Sequence, residues 1–370
     1  MTVAVVAGAL ANKPGNGGEA WVRMSWVDGL LACGLDTWFV EELSPSAWGG
    51  ETARCVEWFA AVEERFGMDG RAILLDADST EVLHGPTSLP EGDLLVNISG
   101  HSRTLLGSCR RRAYVDIDPG YTQIWHLQGA DLGLGRHDVH FTVGQNVGHP
   151  GCAVPDAGFA WWAVLPPVVL DDWPAAPPCA VDRFTTVASW RGGFAPVEHD
   201  GVRYGVKAHE FRRFIDLPQR IPATLEVALD IHDADHADRR RLEDLGWRLV
   251  DPVVASGDVD RFRAYVHGSP AELSVAQGVY VGTRSGWFSD RTARYLASGR
   301  PALVQDTGFG SDLVTGEGLV TFRTVDEAVA GAADIRSRPD EHAAASRRFA
   351  EQHLDAMVVL PRFLEQAGVR

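Results

Sequence analysis

Short apolar runs alternate with amphipathic stretches along this chain, the pattern of strands and crossover helices in an α/β sheet. Val3–Ala7 is apolar without interruption, as a strand buried on both faces is. A loop rich in Gly and Pro follows over residues 8–18, and then a helix is predicted over 19–33, closed by Gly34 as a C-cap residue would close it. The pattern predicts further strands at 36–40, 93–98, 112–117 and 140–143, and a helix at 54–66. Pro166, Pro167, Pro174, Pro177 and Pro178 crowd the next stretch, which predicts a stiff linker. Beyond it the rhythm restarts. Strands are predicted at 184–189, 224–229, 247–249, 279–281, 302–305 and 319–322. Helices are predicted at 207–217, 237–245, 258–266, 290–297, 325–335 and 340–364, the last broken at Pro361. Two α/β lobes with a hinge near residue 175 are the simplest account.

A length of 370 residues exceeds what one core usually serves, in keeping with two lobes. Asp plus Glu number 50 against 34 for Lys plus Arg, a formal charge of −16, so a surface that repels phosphate backbones and anionic lipid is expected. That balance argues against a nucleic-acid partner and leaves room for a small anionic ligand where basic residues and helix ends converge. Cys33, Cys55, Cys109, Cys152 and Cys179 are widely spaced, with no Cys-x-x-Cys, so neither a disulfide framework nor a zinc cage is expected and a reduced cytoplasmic setting fits best. The N-terminus lacks a basic leader, and no run of about 18 apolar residues predicts an integral membrane segment.

The first glycine-rich loop, Gly15-Asn16-Gly17-Gly18-Glu19-Ala20, has three readings. It loosely matches the dinucleotide fingerprint Gly-x-Gly-x-x-Gly/Ala, with Glu41 or Glu42 near the end of the following strand, the basis for an NAD(P)-dependent oxidoreductase. Against that, residues 8–14 separate the glycines from the strand, which would carry the helix start away from a pyrophosphate. The glycines also fit a plain turn. The third reading is a cleft-facing acceptor edge in which Gly17, Gly18 and Trp21 bind the acceptor and Glu19, favoured as an anion by the helix dipole, acts as a base.

The strongest signal is the run from Thr283 to Pro301. A small-residue loop with Ser285 and Gly286 leads to a helix capped by Ser289, with Asp290, Arg291 and Thr292 in its first turn. Free N–H groups there, joined by Ser, Thr and Arg side chains, form a ready phosphate site. The run Ser-Gly-Trp-x-Ser followed by Tyr-Leu-Ala-Ser-Gly-Arg-Pro resembles the donor-binding segment of GT-B glycosyltransferases. The resemblance covers the C-terminal half well and the N-terminal half in layout. It departs from the retaining enzymes' glutamate pair, since Arg294 stands where the second would fall and the first is not evident. It also departs from the plant-like inverting motif, with Arg284 and Phe288 at its His and Asn positions.

The resemblance implies two Rossmann-like domains facing across a cleft: an acceptor-binding domain at 1–173, a nucleotide-sugar domain at 174–345, and a helix at 346–370 crossing back to the first. It also implies that Arg191 and Lys207 are the basic pair at the donor phosphates, alongside Ser285, Gly286, Ser289, Asp290, Arg291 and Thr292. No metal or cofactor is then required, the donor being a UDP, GDP or dTDP sugar. For the acceptor side, His101 follows a buried-looking strand at its C-terminal end, where ligands gather, and an imidazole suits deprotonation of a hydroxyl. In Asp116-Ile117-Asp118-Pro119, strand alternation would turn both carboxylates to one face, with Asp118 the favoured base or acceptor contact over a metal ligand. His137, His140 and His149 lack ligand spacing, and Tyr121, Trp125, Trp161 and Trp162 fit a core better than an acceptor wall.

The expectation is therefore transfer of a sugar from a nucleoside diphosphate to a small hydroxyl- or amine-bearing molecule, in a bacterial enzyme of natural-product or small-glycan metabolism. A non-catalytic sugar-nucleotide-binding protein and a sugar-nucleotide epimerase are the alternatives. Oligomeric state is not legible.

Overall fold

The computed structural model describes residues 1–44, 51–309 and 313–369. Eight strands build the first sheet: β1 (Val3–Ala7), β2 (Asp36–Leu43), β3 (Ala72–Asp76), β4 (Val82–His84), β5 (Gly92–Ile98), β6 (Cys109–Asp116), β7 (Val139–Thr142) and β8 (Trp161–Ala163). Their order is β4-β3-β2-β1-β5-β6-β7-β8, parallel throughout except where β3 meets β4. β9 (Arg183–Ser189) opens the second half. β10 (Val197–His199) and β11 (Val202–Tyr204) form a separate antiparallel hairpin. β12 (Thr224–Asp230), β13 (Arg248–Val250), β14 (Glu272–Ser274), β15 (Ala302–Gln305) and β16 (Leu319–Phe322) complete a parallel sheet ordered β13-β12-β9-β14-β15-β16.

Both sheets share one logic. Each starts at a central strand, builds outward on one side, then crosses to the other, so the winding reverses beside β1 and again beside β9. In open α/β sheets a crevice forms at that reversal, outside the carboxyl ends of the strands. The continuous apolar sequences of β1 and β15 follow from burial on both faces.

Several predicted elements differ in detail. Residues 279–281, read as a strand from Val-Tyr-Val, lie in a helix, Gly278–Gly282. The strand place beside β9 belongs instead to β14, whose first residue, the carboxylate Glu272, interrupts the apolar pattern that would have marked it. β-propensity lost to the tertiary slot available. The predicted 340–364 helix is three pieces, Pro339–Phe349, a wide turn at Ala350–Leu354, and Ala356–Ala367. The break falls at Asp355, which caps the last helix through the Met357 N–H at 2.9 Å, and not at Pro361.

One apolar core runs through both halves, joining Trp21 and Trp173 to Phe262 and Tyr295. Trp21 packs edge-on against Phe66 and Trp173, with centroids 5.0 and 4.9 Å away, and its indole N–H donates to the Val259 carbonyl at 3.0 Å. The helix Ala356–Ala367 lies on the helix Gly17–Ala32, and a Cβ at Gly29 would stand 2.4 Å from a Leu360 methyl. Among the described residues no helix is long and apolar enough to cross a membrane.

Candidate active site

The helix Asp290–Ala297 begins at the carboxyl end of the second sheet, and Arg291 in its first turn spans the crevice between β9 and β14. Its Nε donates to Glu272 Oε1 at 2.7 Å, one terminal nitrogen to the Ser274 hydroxyl at 2.7 Å, and the other to the Val187 carbonyl at 2.8 Å. Glu272 is wholly buried, so the ion pair is a fixture of the floor, with its fork committed to protein. Lys207 stands beside it. The Lys207 ammonium donates to the Val275 carbonyl at 2.9 Å, and the Gln277 side chain accepts the Lys207 N–H at 2.6 Å. Among the described residues Lys207 forms no ion pair. Burial, and then the nearby Arg291 charge, pull its pKa down to about 7. Its ammonium, unlike the Arg291 guanidinium, is not tied to a carboxylate among the described residues and can meet an incoming anion.

The helix start is built to help. Ser289 takes the N-cap position without a side-chain bond to the helix, and among the described residues no acceptor meets the N–H groups of Asp290, Arg291 or Thr292. The Thr292 hydroxyl is buried and likewise without a partner, beside a small cavity lined by Ser274, Ser289, Gln305 and Thr307. Unpaired amides, an unpaired hydroxyl and an ammonium together suit a phosphate.

Facing it, the carboxyl ends of β1, β2, β5 and β6 carry a polar cluster. Glu41 accepts the N–H groups of Leu10, at 2.8 Å, and Ala11, at 2.5 Å, fixing the first loop; burial pushes its carboxyl up to about 7 against those bonds. Burial opposes ionisation of Glu19 as well, yet Arg23 and Lys13 hold its carboxyl down at about 2. Glu19 is thus a paired anion and no proton acceptor near neutrality. His101 Nε2 is buried, 3.8 Å from Glu41 Oε1, and makes no hydrogen bond with another described residue. Burial and the Arg23 charge lower its pKa to about 4, making it a neutral imidazole and a weaker base than an unperturbed histidine. Asp118 accepts from the Tyr280 hydroxyl of the other half at 2.7 Å, and burial pushes its carboxyl up to about 6 although that bond pulls it down. That value suits a base working near neutral pH.

The remaining predicted residues lie elsewhere or serve the scaffold. Arg191 is turned outward into a two-pronged pair with Asp235, both bonds 2.7 Å. Ser285 and Gly286 are consumed by a loop that docks on the first half, where their carbonyls accept the Asn146 and Gln145 N–H groups at 3.0 and 3.1 Å. Gly17 is a contact between halves: a Cβ there would lie 2.0 Å from the Asp258 carbonyl oxygen. Gly18 faces Phe262, and Trp21 is core. The same contact fills the space a dinucleotide pyrophosphate would need at that helix start. Asp116 is a buried hub for Thr122, Gln123 and Thr142, so the two carboxylates of the Asp-x-Asp run do not act as a pair.

Sequence reasoning missed Glu272, Tyr280 and Arg23. A lone carboxylate inside the apolar stretch 271–276, and an arginine one turn after Glu19, were the available signals.

No protein-family model matches the chain, and no curated protein matches it in sequence. Solved structures do. An alpha-glucosyltransferase in complex with UDP is 11% identical, with all of both chains covered and a TM-score of 0.59. The Anabaena protein Alr3699/HepE, in complex with UDP-glucose, is 10% identical over all of both chains, with a TM-score of 0.59. AviGT4, a glycosyltransferase involved in avilamycin A biosynthesis, is 16% identical, covering 100% of this chain and 97% of its own, with a TM-score of 0.50. The fold is that of the GT-B glycosyltransferases. One expectation falls here. The alpha-glucosyltransferase is also solved with UDP and a 13-mer DNA, at a TM-score of 0.60, so exclusion of nucleic acid, and with it the restriction to a small-molecule acceptor, is overturned. Net charge sums over a whole surface, whereas an acceptor meets only the local field of one groove.

Proposed function

We infer that this protein is a glycosyltransferase that takes a sugar from a nucleoside diphosphate donor, UDP first among those to test, and passes it to a hydroxyl- or amine-bearing acceptor. The observation that carries the reading is Lys207: an ammonium that forms no ion pair among the described residues, beside unpaired helix-start amides, at the reversal point of a GT-B sheet. In this reading residues 174–345 hold the donor and residues 1–173 present the acceptor. As the bond from the anomeric carbon to the diphosphate breaks, negative charge grows on the leaving oxygen. Lys207 and the amides of 290–292 are already aimed where that charge develops, so little reorganisation is needed. They supply the positive charge that a divalent ion supplies elsewhere, and we propose that none is required. Asp118 then accepts the proton lost by the acceptor. We propose the cytoplasm as the protein's compartment.

The test is UDP release from UDP-glucose, followed by a coupled assay in chelator, against carbohydrate acceptors and duplex DNA in parallel. Acceptor-dependent release supports the reading and identifies the acceptor class. Release absent with UDP, GDP and dTDP sugars alike, from a folded protein, would contradict it.

A further inference from the structure

The segment 192–205 belongs to neither sheet. It leaves the carboxyl end of β9, forms the β10–β11 hairpin, and returns to the chain just before Lys207. Its inner face does not rest on its own half alone. Phe194 packs against Tyr121 and Trp125 of the first-half helix Tyr121–Leu127, with ring centroids 4.6 and 5.0 Å apart. Val197 and Tyr204 are buried in the same cluster with Val279 and Tyr280. At the hairpin itself the Gln128 side chain donates to the Glu198 carbonyl at 3.0 Å. A ribbon rooted in one half is therefore fastened to the other by rings and the Gln128–Glu198 hydrogen bond.

Its two roots differ. On the return side, Gly205 is pressed against Gly278, where a Cβ would meet the Gly205 carbonyl oxygen at 2.5 Å, so that root is fixed. On the outgoing side, Gly192 adopts φ +73°, and a Cβ at Gly193 would meet nothing within 4 Å. One root is anchored; the other is a glycine pair in which Gly192 holds a left-handed φ and Gly193 stands in open space. Between them hangs a segment with a short two-stranded ribbon, too small to hold its own shape without the surface it covers.

We propose that residues 192–205 are a strap that closes over the donor and must lift from Tyr121 and Trp125 before the nucleotide can leave. The proposal rests on the donor site inferred above. Its position follows from the chain: the strap begins where β9 ends and finishes at the ammonium that meets the diphosphate. Closed, it ends directly before Lys207, whose N–H is held by the Gln277 side chain, and it shuts water from the crevice, which limits loss of donor to hydrolysis. The rings grip by one tilted and one edge-on contact, each of modest strength, which suits a closure that opens on every turnover.

The test removes the grip from either side, with Phe194→Ala on the strap and Trp125→Ala beneath it. UDP dissociation is read by stopped flow, and hydrogen exchange at residues 197–204 is read in the nucleotide-free protein. The proposal expects each variant to release UDP about tenfold faster, from the loss of one to two aromatic contacts. It also expects faster exchange in the strap, hydrolysis of UDP-glucose without acceptor raised relative to transfer, and little further effect in the double variant. UDP release within twofold of wild type in folded variants overturns the strap, as does unchanged exchange at 197–204. If wild-type protein binds no nucleotide while the strap still exchanges faster in the variants, the donor reading fails and the strap loses its cargo with it.

Discussion

The Tyr280 hydroxyl, carried by the second half, donates to Asp118 Oδ1 of the first across 2.7 Å. This bond makes the state of a first-half carboxylate depend on how the two halves meet. Asp118 is raised to about 6 by burial, above its ordinary 3.8, so the folded protein holds that proton more tightly than the unfolded chain. The sign follows: this group favours folding at low pH, and the advantage is lost as pH rises from about 4 through about 6.

Tyr280→Phe takes away a bond made chiefly to the ionised form. The variant is expected to lose about 1–3 kcal/mol at pH 8 and less at pH 4.5, where Asp118 is protonated in both proteins. Urea melts at the two pH values measure the difference. An equal loss at both would show that the phenol matters only for packing.

Lys207 carries the opposite consequence. Its pKa is depressed to about 7, so between pH 7 and about 10 the unfolded chain binds the extra proton and stability from this group rises with pH. Lys207→Met removes a poorly solvated charge and is expected to stabilise the nucleotide-free protein by about 2 kcal/mol at pH 6, with the gain shrinking toward pH 10. Thermal melts across that range check it, and a variant less stable at pH 6 would contradict an ammonium whose burial outweighs its nearby carboxylates.

Glu272 holds Arg291 from beneath, with both side chains withdrawn from solvent. Glu272→Ala leaves the guanidinium without its anion and is expected to cost about 3 kcal/mol in denaturant unfolding. The loss should be accompanied by weaker nucleotide binding, because Arg291 begins the helix that meets the phosphates.

Gly17 lies where two backbones touch. Gly17→Ala sets a methyl 2.0 Å from the Asp258 carbonyl oxygen, which cannot swing away as a side chain does. A cost of about 3 kcal/mol is expected, with a looser contact between halves visible as faster exchange near residues 258–262. An unchanged melting temperature would mean that the contact yields.

The layout was legible in the sequence because it is written in hydrophobic period. β1, β15 and β16 fall where apolar runs bounded by turn residues placed them, and the start of the helix Asp290–Ala297 was marked by Ser289. The floor of the crevice was not legible. Glu272 and Arg23 are charges inside apolar surroundings; the partner of Arg23, Glu19, lies one turn away on the same helix, but only the folded chain brings Arg291 to Glu272. For Arg191, the position after a strand end was visible, but not its pairing with Asp235, which lies 44 residues away. Lys207 was placed at the donor by resemblance, and its lack of an ion pair among the described residues emerges only when the chain is folded. The tight approach at Gly17 has no signature in sequence, since a glycine reads alike in a flexible loop and in a backbone contact.

Titration calorimetry of UDP into wild type and Lys207→Met is the most direct trial of the central claim, that this ammonium grips a diphosphate. One charge-assisted bond lost is worth about 1.5–3 kcal/mol, so the account predicts affinity in the variant roughly ten- to a hundredfold weaker with the fold intact. Equal affinity in the two proteins, or no affinity of the wild type for UDP, GDP or dTDP, would contradict it.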